Sequence, residues 1–175
     1  MFTLTERLTI DTANSNAFAT IDLGSYVDVG DRQALQVHSV DFVFQGTTAS
    51  ESVPVAMGYV TGGAQTAGMV SVQVTDLNRN ALIFADDRAL IASGVLDYEE
   101  LGFLTNTTDL YPDNFGKGAE DGRYVVNDQL YITGLSTAVD GGKDINVTVR
   151  VNASIVTLSA KDFMAIAIQS TAADN

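Results

Sequence analysis

The sequence predicts an all-β protein: a single jelly roll or β-sandwich of about eight strands, with a long surface loop and a short C-terminal helix. Three observations carry this. Most of the 175 residues alternate between apolar and polar with a period of two. The alternating runs are separated by turns rich in Gly, Asn and Asp. A single segment, at the C-terminal end, has the spacing of an amphipathic helix. A chain of this length can bury roughly 70% of its unfolded surface, so one domain over residues 1–175 is expected.

The elements follow in order. Thr3 to Ile10 places Leu4, Leu8 and Ile10 on one face. Ala17 to Leu23 does the same with Ala17, Ala19, Ile21 and Leu23. The turn Asp28-Val29-Gly30-Asp31 leads into a long run, Ala34 to Gln45. There the period puts Val40, Phe42 and Phe44 on one face and Leu35, Val37 and Val43 on the other, as in a strand buried on much of both sides. Val53 to Val60 and Met69 to Thr75 read as a further pair, joined by the small, flexible segment Thr61 to Gly68. Leu77 to Gly102 reads as a short strand with an excursion of turns or helix. Thr105 to Gly122, rich in Asn, Asp, Gly and Thr and holding Pro112, reads as the long surface loop. Tyr124 to Thr133 and Ile145 to Leu158 complete the strands, and Asp140-Gly141-Gly142-Lys143 before the last is a hairpin signal. The helix spans about 159–169. Ser159 can cap it, Asp162 completes a capping box, and Phe163 and Ile166 form its apolar stripe. The tail from Ser170 to Asn175 is expected to fray.

Bulk properties exclude several functions. There is no cysteine, so disulfides, thiolate chemistry and Cys-ligated metals are ruled out. The first residues, Met1 to Arg7, lack a basic region followed by an apolar run, so no secretory signal peptide is expected. No stretch approaches the roughly 20 apolar residues of a membrane-spanning helix. The formal charge is −13, with nine Lys and Arg in total, so direct binding to nucleic acid is not expected. Asp supplies most of the acids. An Asp-rich, Lys-poor surface suits high salt, where the Debye length shrinks to about 3 Å and mutual repulsion is screened.

Candidate chemistry is sparse, and no catalytic residue, cofactor or firm metal site is expected. His38, the one histidine, precedes Ser39 and Asp41, but neighbouring side chains on a strand point to opposite faces, so His38 and Ser39 should diverge. Asp76, Asn78, Asn80 and Asp87 begin like a calcium loop. The sharp-turn glycine is replaced by Ala81 and the bidentate Glu is missing, so a plain polar turn is the stronger reading. Asp109, Asp113, Glu120 and Asp121 crowd the long loop, where acids more often form a solvated surface than a glycosidase pair on rigid elements. Asn106, Asn146 and Asn152 open glycosylation triplets, the last two within a strand. Gly62, Gly63 and Gly68 have neither the Lys nor the helix of a phosphate cradle.

A long strand, Leu35-Gln36-Val37-His38-Ser39-Val40-Asp41-Phe42-Val43-Phe44, and an ending in which Asn146-Val147-Thr148-Val149-Arg150-Val151 runs on to Ser159-Ala160-Lys161-Asp162-Phe163-Met164, carry a resemblance. The chain resembles the single jelly-roll major capsid proteins of sphaerolipovirus-like viruses, which are tailless and icosahedral, contain an internal membrane, and infect halophilic archaea and thermophilic bacteria. The resemblance is one of architecture along most of the chain, without a diagnostic motif. It implies a structural, non-enzymatic role in the virion, with assembly in the host cytoplasm. The partners it implies are further copies of the chain, a second, larger capsid protein and a membrane vesicle beneath the shell. Phe163 and Ile166 are the candidate assembly residues, packing on the sandwich or on a neighbouring subunit. The rival classes are a carbohydrate-binding-like module, for which Tyr98, Tyr111, Tyr124 and Tyr131 are the platform candidates in the second half of the chain, and a phage tail or fibre component.

Overall fold

The computed structural model describes residues 1–11, 15–48, 51–55, 67–98, 104–105, 123–137 and 143–172. These form ten strands and one helix. The strands are β1 (Phe2–Ile10), β2 (Ala17–Asp22), β3 (Gln33–Thr48), β4 (Glu51–Val55), β5 (Gly68–Thr75), β6 (Leu90–Tyr98), β7 (Leu104–Thr105), β8 (Arg123–Val125), β9 (Gln129–Ser136) and β10 (Lys143–Thr157). The helix α1 spans Ala160–Ala172.

Two antiparallel sheets face each other. One runs β1-β10-β3-β4, with β8 also on β3; the other runs β2-β9-β5-β6-β7. Setting aside the short β4 and β7, the remaining eight strands pair from the outside in: β1 with β10, β2 with β9, β3 with β8 and β5 with β6. Successive pairs alternate between the sheets, and β10·β3 and β9·β5 close each one. A long antiparallel ribbon rolled up in this way is a jelly roll.

The alternation predicted for the first strands holds. Leu4, Leu8, Ile10, Ile21 and Leu23 all lie in the core, where β5 adds Val70, Val72 and Val74 and β10 adds Ile145, Val147, Val149, Val151 and Ala153. Glu6 shares the inward side of β1, half-buried, on the edge strand of its sheet. An inward charge on an edge discourages further strand pairing there. The sheets approach closely at two glycines. A Cβ on Gly134 would sit 2.4 Å from Leu8 Cδ2, and one on Gly94 would sit 2.7 Å from the Phe42 ring.

Strand β3 departs from the sequence reading. Ser39 pairs with Asn152 and Val37 with Ala153, so His38 is an extra residue opposite no partner. This β-bulge reverses the parity. Leu35 and Val37 therefore share the core face with Val40, Phe42 and Phe44, and only Val43, 40% exposed, stays on the outer face. A strict period of two cannot register one extra residue.

Four other readings are corrected. The described part of Val53–Val60 pairs with β3, while β5 lies in the opposite sheet, so these two runs do not pair with each other. Tyr124 to Thr133 is two strands in different sheets, broken at Asn127-Asp128, where the Asp128 carbonyl accepts the Leu23 N–H (2.7 Å). The hairpin signal before β10 lies between strands of different sheets, so it joins sheets; its residues 140–142 lie outside the described residues. The strand within Leu77–Gly102 is not short: β6 has nine residues, preceded by turns. Within the predicted long loop only Thr105, at the end of β7, is described. The helix runs past Gln169 to Ala172.

Ser159 caps the helix as the sequence predicts, but Asp162 takes the Ser159 hydroxyl in place of the Ser159 N–H of a full capping box. Ser159 Oγ accepts the Asp162 N–H (3.2 Å) and donates to Asp162 Oδ2 (2.6 Å). Phe163 is buried in a second small core with Ala34 and Val126, flanked by Tyr124, Val156, Leu158, Ile166 and Ala167. The helix thus covers one end of the outer face of the β1-β10-β3 sheet.

Two outcomes test this account. Deleting His38 removes the bulge yet leaves every core side chain of β3 on its face, so the variant is expected to fold cooperatively, losing about 0.5–1.5 kcal/mol with the His38 hydrogen bond. Deleting Asp41 turns Phe42 and Phe44 outward and should abolish the cooperative urea transition. Separately, Phe163→Ala should lower the stability of the monomer by about 3 kcal/mol, the low end for a buried Phe because its site is peripheral.

Candidate functional site

The outer face of the β1-β10-β3 sheet carries a lattice of short polar side chains. Thr3 donates to Asn152 Oδ1 (2.8 Å), and Asn152 Nδ2 donates to Ser39 Oγ (2.9 Å) and Asp41 Oδ2 (3.2 Å). Thr9 donates to Asn146 Oδ1 (2.8 Å), whose Nδ2 donates to Thr47 (3.3 Å). Ser154 donates to Gln36 Oε1 (3.4 Å), and Gln36 donates to the Tyr124 hydroxyl (3.5 Å). These are cross-strand pairs on one face, each worth a few tenths of a kcal/mol to about 1 kcal/mol. Asn146 and Asn152 are therefore strand residues held in this lattice, and Asn106 lies outside the described residues.

The bulge also corrects the expectation for His38. His38 and Ser39 both face outward rather than diverging, because the extra residue puts two successive side chains on the outer face. Even so, the imidazole Nε2 bonds Ser154 Oγ (2.8 Å), not Ser39. A nucleophile–base pair needs a third group orienting the base and donors for an oxyanion. Among the described residues no carboxylate is hydrogen-bonded to the ring. The pair acts as a staple between β3 and β10.

The opposite sheet is covered by the connection between β5 and β6. Gln73 projects outward from β5 and clamps the backbone of Ile83: its Nε2 donates to the Ile83 carbonyl (2.8 Å) and its Oε1 accepts the Ile83 N–H (2.8 Å). The four candidate calcium ligands lie in this connection, where Asp76, Asn78 and Asp87 each have protein partners. Asp87 Oδ2 pairs with Arg79 Nε (3.2 Å), while its Oδ1 accepts the Ala89 N–H (2.9 Å). Asn78 Oδ1 accepts the Asn80 N–H (3.2 Å), in a turn where Asn80 adopts φ 54°. Asp76 turns inward to Arg123 Nη2 (3.4 Å). Among the described residues no group of three or more His, Asp or Glu is placed to hold a metal ion.

Asp76 is the main electrostatic feature. It is 6% exposed, its Oδ1 is buried without a hydrogen-bond partner, and Asn127 Nδ2 donates to its carbonyl (2.6 Å). Arg123 also bonds the Arg88 carbonyl. Asp76 thus ties the end of β5 to β8 and to the break before β9. Burial pushes its carboxyl above the ordinary value of 3.8, more strongly than the Arg123 guanidinium and its hydrogen bond pull it down.

Asp109, Asp113, Glu120, Asp121, Tyr111, Gly62 and Gly63 lie outside the described residues, as does the side chain of Tyr98. Tyr124 packs beneath α1 and is no open platform. Sequence reasoning missed four exposed apolar side chains: Phe18 and Phe84 on the β2-β9-β5 flank, and Met164 and Ile168 on α1. Phe18 had a legible signal, since it takes the polar parity between the inward Ala17 and Ala19. Phe84, in a turn, had none.

No family model matches the chain, and no curated protein matches it in sequence. Among solved structures, the fold is similar to VP1 of chimpanzee polyomavirus, with a TM-score of 0.50 and 6% identity over 90% of this chain and 95% of that one. VP1 of KI polyomavirus gives 0.48 and 7% over 90% and 95%. VP1 of Trichodysplasia spinulosa-associated polyomavirus gives 0.48 and 9% over 89% and 95%. At such identities the likeness is one of fold, and the fold is the jelly roll already derived from strand order.

The raised Asp76 carboxyl has a defined consequence for stability. The native state holds this proton more tightly than the unfolded chain, so rising pH above the ordinary carboxylate value costs stability at this site. Asp76→Asn removes that dependence. Urea midpoints of parent and variant from pH 4 to 7 should therefore show the variant gaining on the parent as pH rises. A constant difference would mean that Asp76 keeps its ordinary acidity.

Proposed function

We propose that this chain is a structural protein of a viral capsid, acting through association rather than catalysis. The observation that carries the reading is the eight-strand jelly roll of the described residues, with a helix docked on its outer face beside a sheet face of hydrogen-bonded polar side chains. Its likeness in fold to VP1 of chimpanzee polyomavirus supports the same reading by analogy. The chain would reside in the virion and associate with copies of itself.

The finer picture rests on the resemblance to sphaerolipovirus-like capsid proteins. The chain would stand upright in an icosahedral shell beside a second, larger capsid protein, above a membrane vesicle, after assembly in the host cytoplasm. The charge of −13 fits a saline setting, because close packing of like-charged subunits requires screening.

Association should accordingly depend on salt. Sedimentation of concentrated protein at molar NaCl is expected to show higher-order assemblies, with a raised melting midpoint, and low salt should shift the population to monomer. A protein that stays monomeric at every salt and concentration, by sedimentation and negative-stain microscopy, would overturn the capsid reading.

A further inference from the structure

Asp76, the residue that follows β5, grips the segment 123–128 at two points. Arg123 Nη2 donates to its Oδ2 (3.4 Å), and Asn127 Nδ2 donates to its carbonyl (2.6 Å). Asp76 is itself fixed, since its N–H donates to the Ala89 carbonyl (3.0 Å). Arg123 opens β8 in one sheet and Asp76 ends β5 in the other, so the grip crosses between the sheets. The residues between the two points form the floor of α1. Val126 is buried with Phe163 and Ala34, and Tyr124 flanks them. Among the described residues, β8 is three residues long and pairs only with β3.

The grip relies on a carboxyl in a costly place. Asp76 is buried, and among the described residues its Oδ1 has no hydrogen-bond partner. The charged groups near it are few. β8 supplies Arg123. The β5–β6 connection supplies Asp87, paired with Arg79, and the exposed Arg88, whose carbonyl bonds Arg123. Asp128 in the break is exposed, and the part of β3 paired with β8, Leu35 to Val37, carries no charge.

We infer that Asp76 is a proton-controlled latch for α1: its protonated carboxyl holds the segment 123–128 and the helix docked on it closed, and ionisation loosens both. The geometry suits a proton. Placed on Oδ1, the oxygen without a partner, it leaves the Arg123 bond to Oδ2 intact. The direction follows from linkage. In the closed form burial, stronger than the pull of Arg123, raises the carboxyl above 3.8; when the segment swings away and water reaches Asp76, the ordinary value returns. The closed form therefore binds the proton more tightly. Its advantage is full below the ordinary value and is lost as pH rises to the raised one, by at most about tenfold in the opening equilibrium per pH unit.

Backbone amide exchange, corrected for intrinsic rates, reads this opening. From pH 4 to 7 the parent should lose protection relative to Asp76→Asn, by the same factor at residues 124–126 and in α1, while β10 stays better protected throughout. Arg123→Gln removes the cation that opposes the effect of burial. Measured against the double variant Asp76→Asn/Arg123→Gln, it should lose more than the parent does. A parent that tracks Asp76→Asn at every pH would overturn the latch. So would loss of protection at 124–126 with α1 unchanged, or protection at both equal to that of β10.

Discussion

The pairing of β3 with β10 is the interaction on which the rest of the structure depends. These are the two longest strands, of 16 and 15 residues, and they run antiparallel through the middle of their sheet. Every inward side chain of β10 from Ile145 to Ile155 reaches the main core, and the facing residues of β3 follow it only because His38 is looped out of register. Without that shift, one half of β3 would show its apolar side chains to solvent. Each fully buried apolar side chain contributes roughly 1.5–3 kcal/mol, so exposing Leu35 and Val37, or Val40, Phe42 and Phe44, would forfeit roughly 3–9 kcal/mol, a large share of the stability of a typical domain. The bulge is therefore part of the fold's specification. It also places His38 beside Ser154, where the two act as a cross-strand staple.

The outer faces follow from this arrangement. With the core faces filled, β1, β10 and β3 turn Thr, Asn and Ser outward, and these side chains bond one another across the sheet. On such a face the polar side chains satisfy one another across the strands. The other sheet gains its cover from the β5–β6 connection, fastened by Gln73 and by the ion pairs of Asp76 and Asp87. The same fastening that hides Gln73 and Thr75 holds Phe84 out in solvent.

Much of this fold was legible in the residues. Alternation in β1 and β2 named the inward face correctly, and Ser159 with Asp162 announced the start of the helix. The misreadings share one cause: a period of two gives the spacing within a strand but not the sheet to which it belongs. Tyr124 to Thr133 looks continuous because Val125, Val126, Leu130 and Ile132 are all apolar, yet Asn127-Asp128 sends the chain from one sheet to the other. The Asp-Gly-Gly-Lys turn before β10 carries hairpin chemistry, but β9 and β10 find their partners elsewhere. As for sites, the calcium-like spacing of Asp76, Asn78, Asn80 and Asp87 could not reveal that arginines distant in sequence or across the turn would take the two carboxylates.

By itself the sequence determined the all-β class, the apolar faces of the first strands and the capped terminal helix. These are local properties, set by side-chain period, capping groups and composition. Tertiary structure alone decided the rolled strand order, the bulge at His38 and the burial of Asp76 against Arg123. Each of these depends on contacts between residues far apart in the chain, where close packing and the satisfaction of buried polar groups select among arrangements that local preference leaves equal.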